Sequence, residues 1–237
     1  MTDPLLLMGE VDAATDRLLR TAASFDAAEL AAGSLLPGWT RGHVLTHLAR
    51  NADGLVNLLT AARTGETVPM YASDAARDAD IATGATRPPE AHLDDLRRSA
   101  DRFAEAVAAM PMPAWAATVE GRRGPLPAAA IVWGRLREVQ VHHVDLAADY
   151  RSADWSEAFA HRLLHEVAAG LADRADAPAM VLRFDGARHQ VVVGVPEHAP
   201  TITGPAAELA AWLAGRSDGR TLAVAPDGSL PHLPEWM

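Results

Sequence analysis

Two stretches of this 237-residue chain set side chains with metal affinity one helical turn apart. Gly42-His43-Val44-Leu45-Thr46-His47 carries two imidazoles at i and i+4. Arg137-Glu138-Val139-Gln140-Val141-His142-His143-Val144-Asp145 carries a carboxylate and an imidazole, Glu138 and His142, at the same interval. On a helix that interval puts both members of a pair on one face. Facing helices that offer His and carboxylate inward are how bundles build metal sites. Three such donors suit zinc or a similar divalent ion, with positions left for water or substrate. The same spacing fits a solvated face, on which Arg135, Glu138, His142 and Asp145 would pair among themselves, with His43 a core residue or a neighbour. His143 stands about 100° around the helix from His142, on an apolar seam, and does not easily share an ion with it. Spacing alone leaves both readings open.

Two absences narrow the chemistry. The chain has no cysteine, which excludes disulfides, thiolate metal ligands and a protein thiol nucleophile. It has no lysine either, all 21 basic residues being arginine, which excludes Schiff-base catalysis and pyridoxal-phosphate attachment. Any thiol must come from a bound molecule. The formal net charge of −10 disfavours phosphate backbones and anionic membranes, so no nucleic-acid partner is expected. An anionic substrate would need arginines gathered in a pocket. The first residues, MTDPLLLMGEVDAATDR, hold no basic leader and only a short apolar run. Neither a signal peptide nor a membrane span is expected there, and a cytoplasmic location is the simplest expectation. Dinucleotide, P-loop, serine-elbow and H-E-x-x-H signatures are missing. The six scattered tryptophans read as core or interface anchors.

The elements that must position these groups read as mainly helical. A first helix is expected over 5–32, closed by Gly33. A second has Thr40 as N-cap and runs to Thr64, with Val44, Leu48, Leu55 and Leu59 as its apolar stripe and Gly65 as its stop. Residues 66–88 carry Pro69, Gly84 and Pro88 without a sustained period and read as a long connection. A third helix fits His92–Met110. A short extended piece is expected within 114–124, and a fourth helix over 128–149, with Val132, Leu136, Val139, His143 and Leu146 on its inner seam. After residue 150 the texture changes. A helix over 157–175, extended runs 180–184 and 189–195 about an Asp185-Gly186 turn, a helix ending near Arg216, and a short strand over 221–224 predict a smaller α+β unit.

Several of these stretches together resemble the mycothiol-dependent maleylpyruvate isomerases. They are Pro37 through Asp53 (PGWTRGHVLTHLARNAD), Pro69-Met70-Tyr71 with Arg77-Asp78 following, Arg137-Glu138-Val139 with Val141 through Leu146, and Gly204-Pro205-Ala206 through Ala214-Gly215-Arg216. The resemblance spans essentially the whole chain. It implies a mainly α fold with an α+β part: a DinB-like, metal-binding four-helix bundle over 1–150 and a small α/β C-terminal domain over 151–237. It implies a zinc ion on His47, Glu138 and His142, with His43 a neighbour. It implies a catalytic arginine at Arg216, to which Arg77 is added as a second anion contact on its position in the long loop. The implied activity is the mycothiol-dependent conversion of maleylpyruvate to fumarylpyruvate, and the implied partners are a small anionic substrate and a low-molecular-weight thiol. Other mycothiol-dependent S-transferases, acting on electrophiles in detoxification, share the same bundle and form the nearest alternative. A non-catalytic binding or regulatory module with structural histidines is the alternative of another class.

Overall fold

Thr40 begins the helix that carries the first histidine pair. Its hydroxyl accepts the backbone N–H of His43, and its own N–H donates to His43 Nδ1 at 3.2 Å, a reciprocal cap. Gly65, at φ 74°, ends the same helix in the left-handed region that glycine enters freely. In a computed structural model of the chain, which describes residues 4–184, 190–226, 228–234 and 236, the chain divides into two compact units, Met1–Ala148 and Asp149–Met237.

The first unit contains helices α1 (Pro4–Ala23), α2 (Ala27–Ala31), α3 (Arg41–Thr64), α4 (Asp74–Gly84), α5 (Pro89–Ala108) and α6 (Ile131–Asp145), with a hairpin of β1 (Thr118–Gly121) and β2 (Gly124–Pro127) between α5 and α6. Helix α3 packs on α5 and α6, and α1 packs on both of these, which closes a four-helix ring. The apolar stripes fill its interior: Val44, Leu48, Leu55 and Leu59 from α3, Leu96, Phe103 and Val107 from α5, and Val132, Leu136 and Val139 from α6 are buried, while Leu93, on the same side of α5, is half-buried. Truncating any of the buried leucines to alanine would cost about 2–5 kcal/mol.

Helices α3 and α6 run antiparallel, and polar groups pin them. Arg41 Nε donates to the Leu146 carbonyl at 2.7 Å and its NH2 to that of Ala147 at 2.9 Å, satisfying carbonyls at the end of α6. The Leu35 N–H donates to the Asp145 carbonyl at 2.9 Å. Further along, Arg135 NH1 donates to the Leu48 carbonyl at 2.8 Å and to Asn51 Oδ1 at 3.0 Å. Arg135, His142 and Asp145 are buried, so the stripe they form with Glu138 is not a solvated face. It points into the bundle.

The second unit holds α7 (Glu157–Ala172), α8 (Ala206–Leu213) and strands β3 (Met180–Phe184), β4 (Val191–Val193), β5 (Thr201–Gly204) and β6 (Ala223–Ala225). The sheet order is β4-β3-β5-β6; β3 and β5 are parallel and the other pairs antiparallel. The expected Asp185-Gly186 turn lies outside the described residues, while the strands on either side of it pair with Met180 opposite Val193.

Three expectations are corrected. The helix expected over 5–32 breaks at Ser24–Asp26, because Asp26 caps α2 with its own capping box to Glu29. The connection 66–88 contains α4, started by Ser73; only Ile81 and Gly84 of it are buried, so it shows no apolar period. Strand β5 occupies Thr201–Gly204, where no strand was expected; only alternate residues, Ile202 and Gly204, are buried. Among the described residues no helix is long and apolar enough to cross a membrane.

Gly42, in the first turn of α3, faces the end of α4. A Cβ there would overlap the Ala85 carbonyl oxygen and come within 3.4 Å of His92 Nε2. Gly42→Ala is expected to destabilise the protein by about 1–3 kcal/mol through overpacking, read as a lower urea midpoint at unchanged slope. An unchanged midpoint would mean that α4 can back away from α3 at little cost.

Candidate metal centre

His47 lies two turns into α3, and Glu138 and His142 stand one turn apart on α6. The antiparallel pairing brings all three to one point. His47 Nε2 is 3.1 Å from Glu138 Oε2, and His142 Nε2 is 3.4 Å from the same oxygen. The two imidazoles meet edge to face, with centroids 4.6 Å apart. One donor atom from each residue lies within 4.8 Å of the others.

Neighbouring groups orient these donors. Asp145 Oδ2 sits 2.8 Å from His142 Nδ1, which leaves Nε2 for the cluster; a carboxylate behind a histidine is a common support for a metal ligand. Arg77, on α4, places NH2 3.2 Å from His47 Nδ1 and NH1 2.7 Å from Asp78. Trp39 meets the His47 ring edge-on at 5.6 Å and stacks on His43. His43 turns its Nδ1 to Thr40, so it serves the helix cap. His143 is buried in the seam with Nε2 2.8 Å from the Thr21 hydroxyl, a satisfied core histidine.

The electrostatics follow from burial and pairing. Burial pushes the His47 imidazole down from 6.5 to about 4, against the hydrogen bond to Glu138, with His142 and Arg77 adding to the depression. Burial alone would raise the Glu138 carboxyl, but hydrogen bonds from His142 and His47 hold it well below its usual range. Burial also opposes charge on His142, and there the hydrogen bonds to Asp145 and Glu138 win and raise it. With His47 neutral, Arg77 donates to its Nδ1 and its Nε2–H donates to Glu138. The cluster is an anionic carboxylate between two imidazoles, the donor set that a divalent ion of the zinc type takes up in exchange for protons. The residues fit such an ion.

Arg216 belongs to the second unit. Its NH1 donates to the Ala214 carbonyl at 2.7 Å and its backbone N–H to that of Ala211 at 2.7 Å, just past α8. Sequence reasoning gave no role at the site to Trp39, Tyr71 or Asn51, and gave Arg135 and Asp145 only pairs on a solvated face. Asp145, three residues after His142, carried a usable spacing signal; the others carried none beyond lying in motif stretches.

The family model described as the mycothiol maleylpyruvate isomerase N-terminal domain matches residues 11–147. The chain belongs to the mycothiol maleylpyruvate isomerase family. The model of that family's C-terminal domain (MDMPI) matches residues 154–235. Two solved structures are similar over the whole of both chains. The crystal structure of the mycothiol-dependent maleylpyruvate isomerase shares 30% identity at a TM-score of 0.92, and that of a histidine-to-alanine mutant of that enzyme shares 29% at 0.92. No curated protein sequence matches. The DinB-like bundle with a small α/β unit is the fold of this family member.

The shifted imidazoles make a pH prediction for metal-free protein. The unfolded chain takes up a proton at His47 near 6.5, and the folded chain does so only near 4, so stability is lost as the pH falls through that window. His142 acts elsewhere: its raised value contributes stability that is complete below about 6.5 and is lost as the pH rises through the folded value. Thermal midpoints of chelator-treated protein should therefore decline between about pH 6.5 and 4, and His47→Gln should flatten that decline. A His47→Gln profile parallel to the wild type would contradict the burial of a neutral imidazole.

Proposed function

We propose that this protein is a metal- and mycothiol-dependent isomerase that converts maleylpyruvate to fumarylpyruvate, with zinc held by His47, Glu138 and His142. One observation carries the proposal. Those three donors converge within 4.8 Å in a chain that is 30% identical, end to end, to a mycothiol-dependent maleylpyruvate isomerase. The absence of cysteine and lysine is consistent with it, since a thiol or amine nucleophile has to be borrowed.

Mycothiol supplies a thiolate whose addition to the alkene carbon beside the carboxylate moves the π pair onto the conjugated ketone oxygen; the new single bond rotates, and return of the pair expels the thiolate, with no net gain or loss of protons or electrons. A divalent ion supplies a Lewis acid, able to lower the pKa of a bound thiol or to polarise a carbonyl. The protein's own groups bind, orient and hold charge. His47 and His142 present Nε2, and Asp145 fixes the His142 ring. His47 Nε2 would be the nitrogen that holds the ion, and Arg77 now donates to the other ring nitrogen, Nδ1, at 3.2 Å. The Arg77 guanidinium, beside the cluster, would bind a substrate carboxylate, which it matches bidentately. Arg216 is retained as a further catalytic guanidinium on the family resemblance.

In this reading residues 1–150 are the metal-binding bundle and 151–237 the C-terminal domain. The substrate is a small anion, and the location is cytoplasmic, where a small thiol stays reduced.

The test is zinc analysis and mycothiol-dependent isomerisation of maleylpyruvate, followed by absorbance, on wild type and His47→Ala. Wild type should hold about one zinc ion per chain and turn over; His47→Ala should lose the ion and at least about 10³-fold in rate, the scale of a lost electrostatic stabiliser. Zinc and activity both retained in the variant would remove His47 from the site. Turnover of mycothiol with electrophiles and none with maleylpyruvate would make the protein an S-transferase of the same fold.

A further inference from the structure

Tyr71 is a polar group beside the metal cluster to which the proposed chemistry has so far given no task. It precedes α4 in the connection from α3, and the Asn57 amide anchors that connection by donating to the Met70 carbonyl at 3.2 Å. Its ring rests on Gly54. A Cβ at Gly54 would come within 3.0 Å of Met70 Cγ and of Tyr71 Cε1, and 3.1 Å of Tyr71 Cζ, so the hydroxyl-bearing edge of the ring, with Met70 beside it, touches the helix. Gly54 follows His47 by seven residues, or about two turns, and so shares its face of α3. A side chain at position 54 would push the phenol and Met70 outward by a few tenths of an ångström.

Tyr71 also lies near Arg77, the residue that reaches the cluster. The Arg77 guanidinium carbon lies 5.8 Å from the Tyr71 ring centroid, and the same guanidinium reaches His47 Nδ1 at 3.2 Å. The phenol is close enough to feel the charges of both Arg77 and Glu138, and burial pushes it above its ordinary value, so it remains a proton-bearing donor at neutral pH. Of the two tyrosines in the chain, Tyr150 belongs to the second unit, which leaves Tyr71 as the phenol of the bundle.

We propose that the Tyr71 hydroxyl is a catalytic hydrogen-bond donor to the substrate's ketone oxygen, held in place by the absence of a side chain at Gly54. The inference rests on the isomerase reading. In that reaction the electron pair displaced from the alkene comes to rest on the ketone oxygen, and the charge exists only while the bond is free to rotate. A neutral phenol aimed at that oxygen stabilises the charged state more than the ground state, which is the condition for raising kcat. It gives up no proton, so the thiolate can leave again by return of the pair.

The experiment compares zinc-loaded wild type with Tyr71→Phe, which keeps the ring on Gly54 and removes only the hydroxyl. Mycothiol-dependent turnover of maleylpyruvate should show kcat lower by about 10²–10³-fold, as for loss of one oxyanion donor, with KM within about threefold and zinc affinity unchanged. Gly54→Ala should lower kcat in the wild type and lower it less in the Tyr71→Phe background, the remainder reflecting its pressure on Met70 and the ring. A Tyr71→Phe protein with wild-type kcat overturns the proposal. A wild type inactive on maleylpyruvate refutes the isomerase reading first. Calorimetric binding of acetylpyruvate, a 2,4-dioxo acid without the alkene, to the zinc-loaded proteins then decides the role of Tyr71. Binding about tenfold or more weaker in Tyr71→Phe supports a hydrogen bond from the phenol to the dioxo oxygens. Equal binding, or none by either protein, overturns it.

Discussion

The antiparallel seam between α3 and α6 is the constraint on which the rest of the first unit depends. It carries Arg41 on the last carbonyls of α6, His47 on Glu138, and Arg135 on Asn51 and the Leu48 carbonyl, in that order along the pair. Arg135 is fully buried, and burial pulls its guanidinium down to about 10, still a cation at neutral pH. A charge so placed is costly unless every partner is in position. The register of α3 against α6 is therefore held by polar groups that tolerate no slip, while the leucines and valines around them supply the apolar burial. The metal cluster is one layer of that seam. It lies between the Arg41 clamp and the Arg135 staple.

That arrangement also sets the electrostatics of the cluster. Glu138 stays ionised in a buried setting because both histidines turn toward it, and the two imidazoles diverge because only His142 has a second carboxylate behind it. An ion of charge +2 would satisfy Glu138 and both Nε2 atoms at once and end the competition for a single proton. Arg77 is a cation beside that site. It donates to His47 Nδ1, the nitrogen that would itself have to carry the ring proton were Nε2 to hold an ion.

Much of this was legible in the sequence, for identifiable reasons. The i,i+4 pairs, the Thr40 cap, the Gly65 stop and the seam of α6 are local patterns, and each forms in the structure. Spacing could not decide whether Glu138 and His142 faced water or the core, because Arg135 and Asp145 read equally well as surface charges. Burial of the whole stripe is a property of helix packing, and the family resemblance stood in for it. Helix α4 was hidden because a short helix with one buried aliphatic side chain leaves no period. The Tyr71–Gly54 contact joins residues from two elements and has no local signature, apart from a glycine within a strong helix that is otherwise unexplained.

The central claim is that two imidazoles and one carboxylate bind one divalent ion. X-ray absorption at the zinc edge of the loaded protein tests it most directly. The spectrum should show a first shell of nitrogen and oxygen at about 2.0–2.2 Å, with outer-shell scattering from two imidazole rings that falls to one ring in His47→Ala or His142→Ala protein reconstituted with zinc. A wild-type spectrum with one imidazole or none, or one that neither substitution changes, would contradict the assignment of His47, Glu138 and His142.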